Sequence, residues 1–214
     1  RGTNILSIQD LIEDLNVLTL EKFPYGKEGD SVSKGAMDGF SNLLATTDPT
    51  SGATLEAYLT SISGDAKNKL YITGHSLGGA LSSMLTYWLI TNEQLKDKFV
   101  FSTYAFASPG FVNKSFKDNF LASLPADASF DMKANSLDLV PYGYANLSGI
   151  MSKNIPVHVP LVYRVLISTA SLALETQGIT YVNIKTADDI GNIPITATGP
   201  GGITPADSIQ WYDY

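Results

Sequence analysis

The sequence predicts an α/β fold: a mostly parallel central sheet with helices on both faces, built as one domain over residues 1–214. Three observations predict it. Runs rich in β-branched and aromatic residues alternate with segments of helical period along the chain. At 214 residues with 44% apolar and 16% charged side chains, the chain can bury one sizeable core. Gly and Pro are scattered, and neither a repeat nor a low-complexity linker divides the chain.

The first segment, Asn4 to Asn16, carries Ile5, Ile8, Leu11, Ile12 and Leu15 on one helical stripe with acids between them. Helices are expected over Gly35 to Thr46 and Thr54 to Ser63. Lys69 to Thr73 reads as a buried strand, and Leu77 to Ile90, rich in Ala, Leu and Met, as a helix. The aromatic run Phe99 to Phe106 predicts a strand, and Lys114 to Ser123 a helix. Ser129 to Ala134, Val157 to Ser168 and Thr180 to Ile184 complete the list of expected strands. In parallel sheets of this kind, reactive groups gather at the carboxyl ends of the strands.

Composition removes several function classes. A net charge of −7 and a pI near 4.7 argue against nucleic acid as a partner. The chain has 0 Cys, which excludes disulfides, thiolate catalysis and zinc–thiolate sites. Its 2 His, His75 and His158, are too few for a multi-histidine metal centre. A metal centre built from thiolates or from several histidines is therefore not expected. The longest apolar stretch, Pro160 to Leu174, is broken by Arg164 and too short to span a bilayer, so no transmembrane segment is expected.

Gly74-His75-Ser76-Leu77-Gly78 matches G-x-S-x-G. At these residue frequencies the pattern arises by chance in about one such chain in ten. Its setting raises its weight, because a strand leads into it and an apolar helix leaves it. In such a turn Ser76 projects its hydroxyl from the sheet edge, while Gly74 and Gly78 let strand and helix pass without a Cβ clash. The helix N-terminus then presents the Leu77 N–H to an oxyanion formed on attack. The plainer alternative is a serine N-cap after a glycine turn.

With these residues in view, the chain resembles the class 3 lipases, an α/β-hydrolase family of triacylglycerol lipases and related esterases. Tyr71 to Leu81 is very similar to that family's elbow. Tyr104 to Asn113, with Phe106, Pro109 and Asn113, resembles its next strand and loop. Asn135-Ser136-Leu137-Asp138-Leu139-Val140-Pro141 is similar to the segment that bears its acid. The resemblance implies that Asp138 orients and charge-stabilises an imidazole. It makes Thr3, in Arg1-Gly2-Thr3, the second oxyanion donor, and it sets residues 4–16 at the position of an amphipathic lid that meets a lipid interface. The family feeds the Thr3 loop from a strand that this chain is expected to lack, which would leave an edge open beside the nucleophile strand. It also favours a secreted protein.

The base does not follow from the residues alone. His75 is adjacent to Ser76 and cannot serve, which leaves His158. The resemblance assigns His158 to the start of a strand and puts the base later, at a position held here by Asp207, in Asp207-Ser208-Ile209-Gln210-Trp211-Tyr212. Four readings stay open: a variant with its base replaced, a natural pseudoenzyme, His158 in the role of base, or Asp207 as a carboxylate base. A carboxylate titrating near pH 4 is a poor acceptor for a serine proton. The expected function is a carboxylic-ester hydrolase acting on lipid esters through an acyl-serine, and the resemblance to that scaffold implies neither a cofactor nor a metal. The opposing expectation is an inactive lipid-binding or interaction module on the same scaffold.

Overall fold

A computed structural model describes residues 16–64, 66–135, 138, 140–146 and 161–190. The chain first forms a short antiparallel hairpin, β1 (Leu20–Lys22) and β2 (Ser31–Ser33), with Leu20 opposite Ser33. Ser33 then caps α1 (Lys34–Ala45), its hydroxyl accepting the Ala36 amide at 3.4 Å. Thr54 caps α2 (Leu55–Ile62) in the same way, accepting the Ala57 amide at 3.2 Å.

The main sheet is parallel throughout, in the order β3 (Asn68–His75), β4 (Phe99–Phe106), β5 (Ser129–Ala134) and β6 (Asp188–Asp189). Helix α3 (Leu77–Thr91) joins β3 to β4, and α4 (Lys114–Ser123) joins β4 to β5. Burial alternates along the strands, as a sheet with one covered face requires. Ile72, Phe101, Thr103, Phe130 and Met132 are buried, and α3 packs on this side of β3 and β4. Thr86 of α3 and Thr103 of β4 share a hydroxyl hydrogen bond of 2.7 Å there. The other face of β3 presents Lys69, Tyr71, Thr73 and His75, all exposed, with Tyr71 65% accessible. Among the described residues β3 is one edge of the sheet and β6 the other.

Aromatic rings fill the space between the hairpin, α3 and α4. Phe23 stacks on Tyr87 at 5.5 Å, Tyr87 meets Phe116 edge-on at 5.1 Å, and Phe120 meets Phe130 edge-on at 4.9 Å. Each ring buried in this way contributes about 1.5–3 kcal/mol. Asp30 is fully buried beside them. Its carboxylate is kept there by four donors: the Tyr87 hydroxyl, the Lys27 amide, the Ser115 hydroxyl and the Asn119 side chain.

Two expected strands are corrected. The segment expected as a strand over Val157 to Ser168 is helical from Leu161, as α5 (Leu161–Thr176). Ala170 and Leu174, four apart and both buried, form one helical stripe, and this periodic burial outweighs the local β-branched content. Thr180 to Ile184 is not a strand. Only Val182 pairs, in an antiparallel bridge to Val112, while its neighbours hold other segments through their side chains. Conversely, β6 carries two aspartates and no β-forming residue. It pairs with β5, where the Ile190 amide donates to the Ala134 carbonyl at 3.0 Å and Lys133 binds Asp188 at 2.6 Å.

Candidate active site

Ser76 is the single residue between β3 and α3, and it takes φ 57° and ψ −123°. A side chain in that region of backbone space costs about 1–3 kcal/mol, so the surroundings must hold it there. They do so on both sides. The Ser76 amide donates to the Phe106 carbonyl at 2.9 Å, tying the turn to the end of β4. The Ser76 carbonyl accepts the amides of Gly79 at 2.9 Å and Ala80 at 3.2 Å, tying it to the first turn of α3. The Ser76 hydroxyl makes no capping hydrogen bond, so the role of a simple helix N-cap is not the one it fills.

Two glycines make this turn possible. A Cβ on Gly74 would lie 2.0 Å from the Gly78 carbonyl oxygen. A Cβ on Gly79 would lie 2.9 Å from the Phe106 carbonyl oxygen and 3.0 Å from the Ser108 Cβ. The sequence reading assigned this close approach to Gly74 and Gly78. The structure moves the second role to Gly79, since a Cβ on Gly78 would meet nothing within 4 Å among the described residues. Behind the turn, the buried Ser82 and Ser83 hydroxyls both donate to the Gly79 carbonyl, at 2.8 and 3.0 Å. Leu77 is the first residue of α3, so its N–H points out of the helix N-terminus and has no intrahelical acceptor.

The end of the neighbouring strand is also strained. Ala107, just after β4, has φ 47°, and its amide donates to the Lys133 carbonyl of β5 at 2.8 Å. The sequence contained no signal for this position.

Asp138 lies on the loop that leaves β5 at the carboxyl edge of the sheet. Its amide donates to the Asn135 carbonyl at 2.9 Å, and its Oδ1 accepts the Val140 amide at 2.9 Å, which opens a 3-10 turn over Val140–Tyr142. Burial pushes its carboxyl above the usual value, opposed by the Val140 N–H and by the charge of His75. The acid is thus within electrostatic reach of the residue that precedes Ser76, although two strand positions separate β3 from β5. His75 itself is exposed.

The acid loop rests on residues 181–183. The Asn183 Nδ2 donates to the Pro141 carbonyl at 2.9 Å, and Tyr144, at φ 61°, packs edge-on against Tyr181 at 6.3 Å. The buried Tyr181 hydroxyl donates to the Val17 carbonyl at 2.7 Å. A cavity of about 420 Å³ opens beside this loop, lined by Asn135, Tyr142, Tyr181, Asn183, Lys185 and neighbours. Neither Ser76 nor Asp138 lines it, so it is not the space in which a substrate would meet Ser76.

Thr3, the expected lid helix up to residue 15, His158 and Asp207 lie outside the described residues. Among the described residues there is no cluster of three His, Cys, Asp or Glu side chains that could hold a metal ion. No helix among them is long and apolar enough to cross a membrane.

Comparison with known proteins adds the following. The family model Lipase (class 3) matches residues 1–145. Comparison with curated protein sequences returns no match. Among solved structures, M37 lipase is 31% identical with a TM-score of 0.73, over 86% of this chain and 57% of that one. The lipase of Rhizopus microsporus var. chinensis is 24% identical with a TM-score of 0.49, over 67% of this chain and 45% of that one. The chain therefore spans little more than half the length of M37 lipase.

Proposed function

The chain belongs to the class 3 lipase family, and from that premise we propose that it is a serine carboxylic-ester hydrolase acting on lipid esters. The observation that carries the reading is the elbow: a strained Ser76 with an uncapped hydroxyl, set between a strand end and a helix N-terminus.

In this reading the Ser76 Oγ attacks the ester carbonyl carbon and its proton passes to a base. The carbonyl oxygen becomes an oxyanion facing the N–H of Leu77, with Thr3 as the second donor. Collapse of the intermediate breaks the ester C–O bond, the alcohol leaves with the proton, and an acyl-serine remains for water to cleave. Asp138 would orient and charge-stabilise the base. Residues 4–16 would supply the face that meets the lipid interface.

The base position is held by Asp207, where the family resemblance expects histidine. Loss of the base lowers turnover by about a millionfold in a well-studied serine hydrolase. We therefore assign the chain a nucleophile, an acid and an oxyanion donor, with proton transfer as its weak step. The test is hydrolysis of p-nitrophenyl esters by the chain and by Ser76→Ala. Loss of all residual turnover in the variant supports the reading, and undiminished turnover sinks it.

A further inference from the structure

The Asn183 Nδ2 donates to the Pro141 carbonyl at 2.9 Å, whereas its buried Oδ1 has no hydrogen-bond partner among the described residues. A buried acceptor left unpaired is unfavourable. Turning the amide over would not help, because Oδ1 would then face the Pro141 oxygen, acceptor against acceptor. What asparagine supplies here is the donor to Pro141.

That donor meets a turn that needs it. The carbonyls of Val140, Tyr142 and Gly143 accept main-chain amides, while that of Pro141 takes the Asn183 side chain. Pro141 follows Val140 directly, and the Val140 amide is the group that binds the Asp138 carboxylate. Asn183 is itself anchored away from the acid loop. The Val182 amide donates to the Val112 carbonyl at 2.9 Å, and the Tyr181 hydroxyl to the Val17 carbonyl at 2.7 Å. Gly110 leaves the room for this meeting: a Cβ there would lie 2.4 Å from the Ala145 Cβ and 2.9 Å from the Asn183 Oδ1.

We propose that Asn183 is a positioning residue for the acid: it holds the Pro141 carbonyl, and through it the turn that keeps the Val140 N–H on Asp138. The assignment rests on the reading that Asp138 serves Ser76, and it names a residue that reading did not contain.

The experiment is a carboxyl-carbon NMR titration of Asp138 in the full chain and in Asn183→Leu, which keeps the size of the side chain and removes the donor. The Asp138 midpoint is expected to move up, because the N–H that favours its charged form is released. The midpoint of Asp48, on a remote exposed loop, is expected to stay. Val140 amide exchange should quicken by about tenfold while that of Gly79 does not change. If leucine prevents folding, Asn183→Ala is measured in its place. A folded variant with an unmoved Asp138 midpoint and unchanged Val140 exchange overturns the proposal. None of these readouts needs turnover, so failure of the hydrolase reading, seen with Ser76→Ala, remains distinguishable from failure of this one.

Discussion

The Gly78 carbonyl oxygen occupies the place where a Cβ on Gly74 would stand, 2.0 Å from it. This contact is backbone on backbone, so neither partner can swing away, and it fixes how closely β3 and α3 meet around Ser76. Gly74→Ala is therefore expected to destabilise the fold by about 3 kcal/mol or more, or to prevent folding. Gly78→Ala sets its Cβ inside a helix where no described residue lies within 4 Å, and should be neutral or stabilising by up to about 1 kcal/mol. Urea unfolding of the two variants checks the contrast, and equal effects would refute the packing described for the elbow.

Relief of strain at Ser76 supplies a second prediction. With φ at 57° and ψ at −123°, the Cβ rather than the hydroxyl is the source of the strain. Ser76→Gly should be more stable than Ser76→Ala by about 1 kcal/mol, although both lose the nucleophile. Thermal or urea unfolding of the pair decides this. A less stable glycine variant would mean that the turn is not strained in the folded protein.

Asp138 yields a prediction with a defined sign. Its folded pKa lies above its ordinary value of 3.8, chiefly because of burial. A group raised in this way favours the fold while protonated and loses that contribution as pH rises through the folded pKa. At neutral pH the ionised carboxyl is a burden that an amide lacks, and an asparagine Oδ1 can still accept the Val140 N–H. Asp138→Asn is thus expected to unfold at higher urea concentration than the parent at pH 7, with the difference shrinking toward pH 3.8 and below. If Asp138 is the acid, the same variant has lower ester turnover. A variant that is less stable at pH 7 contradicts the burial argument.

The parts of the molecule that were legible in the sequence are those whose causes are local. The strand Phe99–Phe106 stands where its aromatic and β-branched run puts it, and the helix Lys114–Ser123 stands where it was expected, started by the Asn113 cap. The elbow follows from five consecutive residues and the elements on either side. Parts set by distant pairing were not legible. The strand Asp188–Asp189 pairs with Lys133 and Ala134 of a strand some fifty residues earlier, and the support of the acid loop depends on Asn183 reaching Pro141 across some forty residues. Val157 to Ser168 misled because β-branched composition cannot distinguish a strand from a helix that buries one stripe. Gly79 carried a signal, a second glycine after the elbow, but only the Phe106 carbonyl shows what that glycine is for.

In the proposed reading Ser76 is the nucleophile and Asp207 stands where its partner base belongs. The most direct test compares p-nitrophenyl ester turnover of the chain, of Asp207→His, and of Asp207→His combined with Ser76→Ala. The expected result is a gain of several orders of magnitude in the histidine variant, and loss of that gain when Ser76 is removed. A gain that survives Ser76→Ala would contradict the account. So would no gain from Asp207→His together with a substantial parent activity that His158→Ala abolishes.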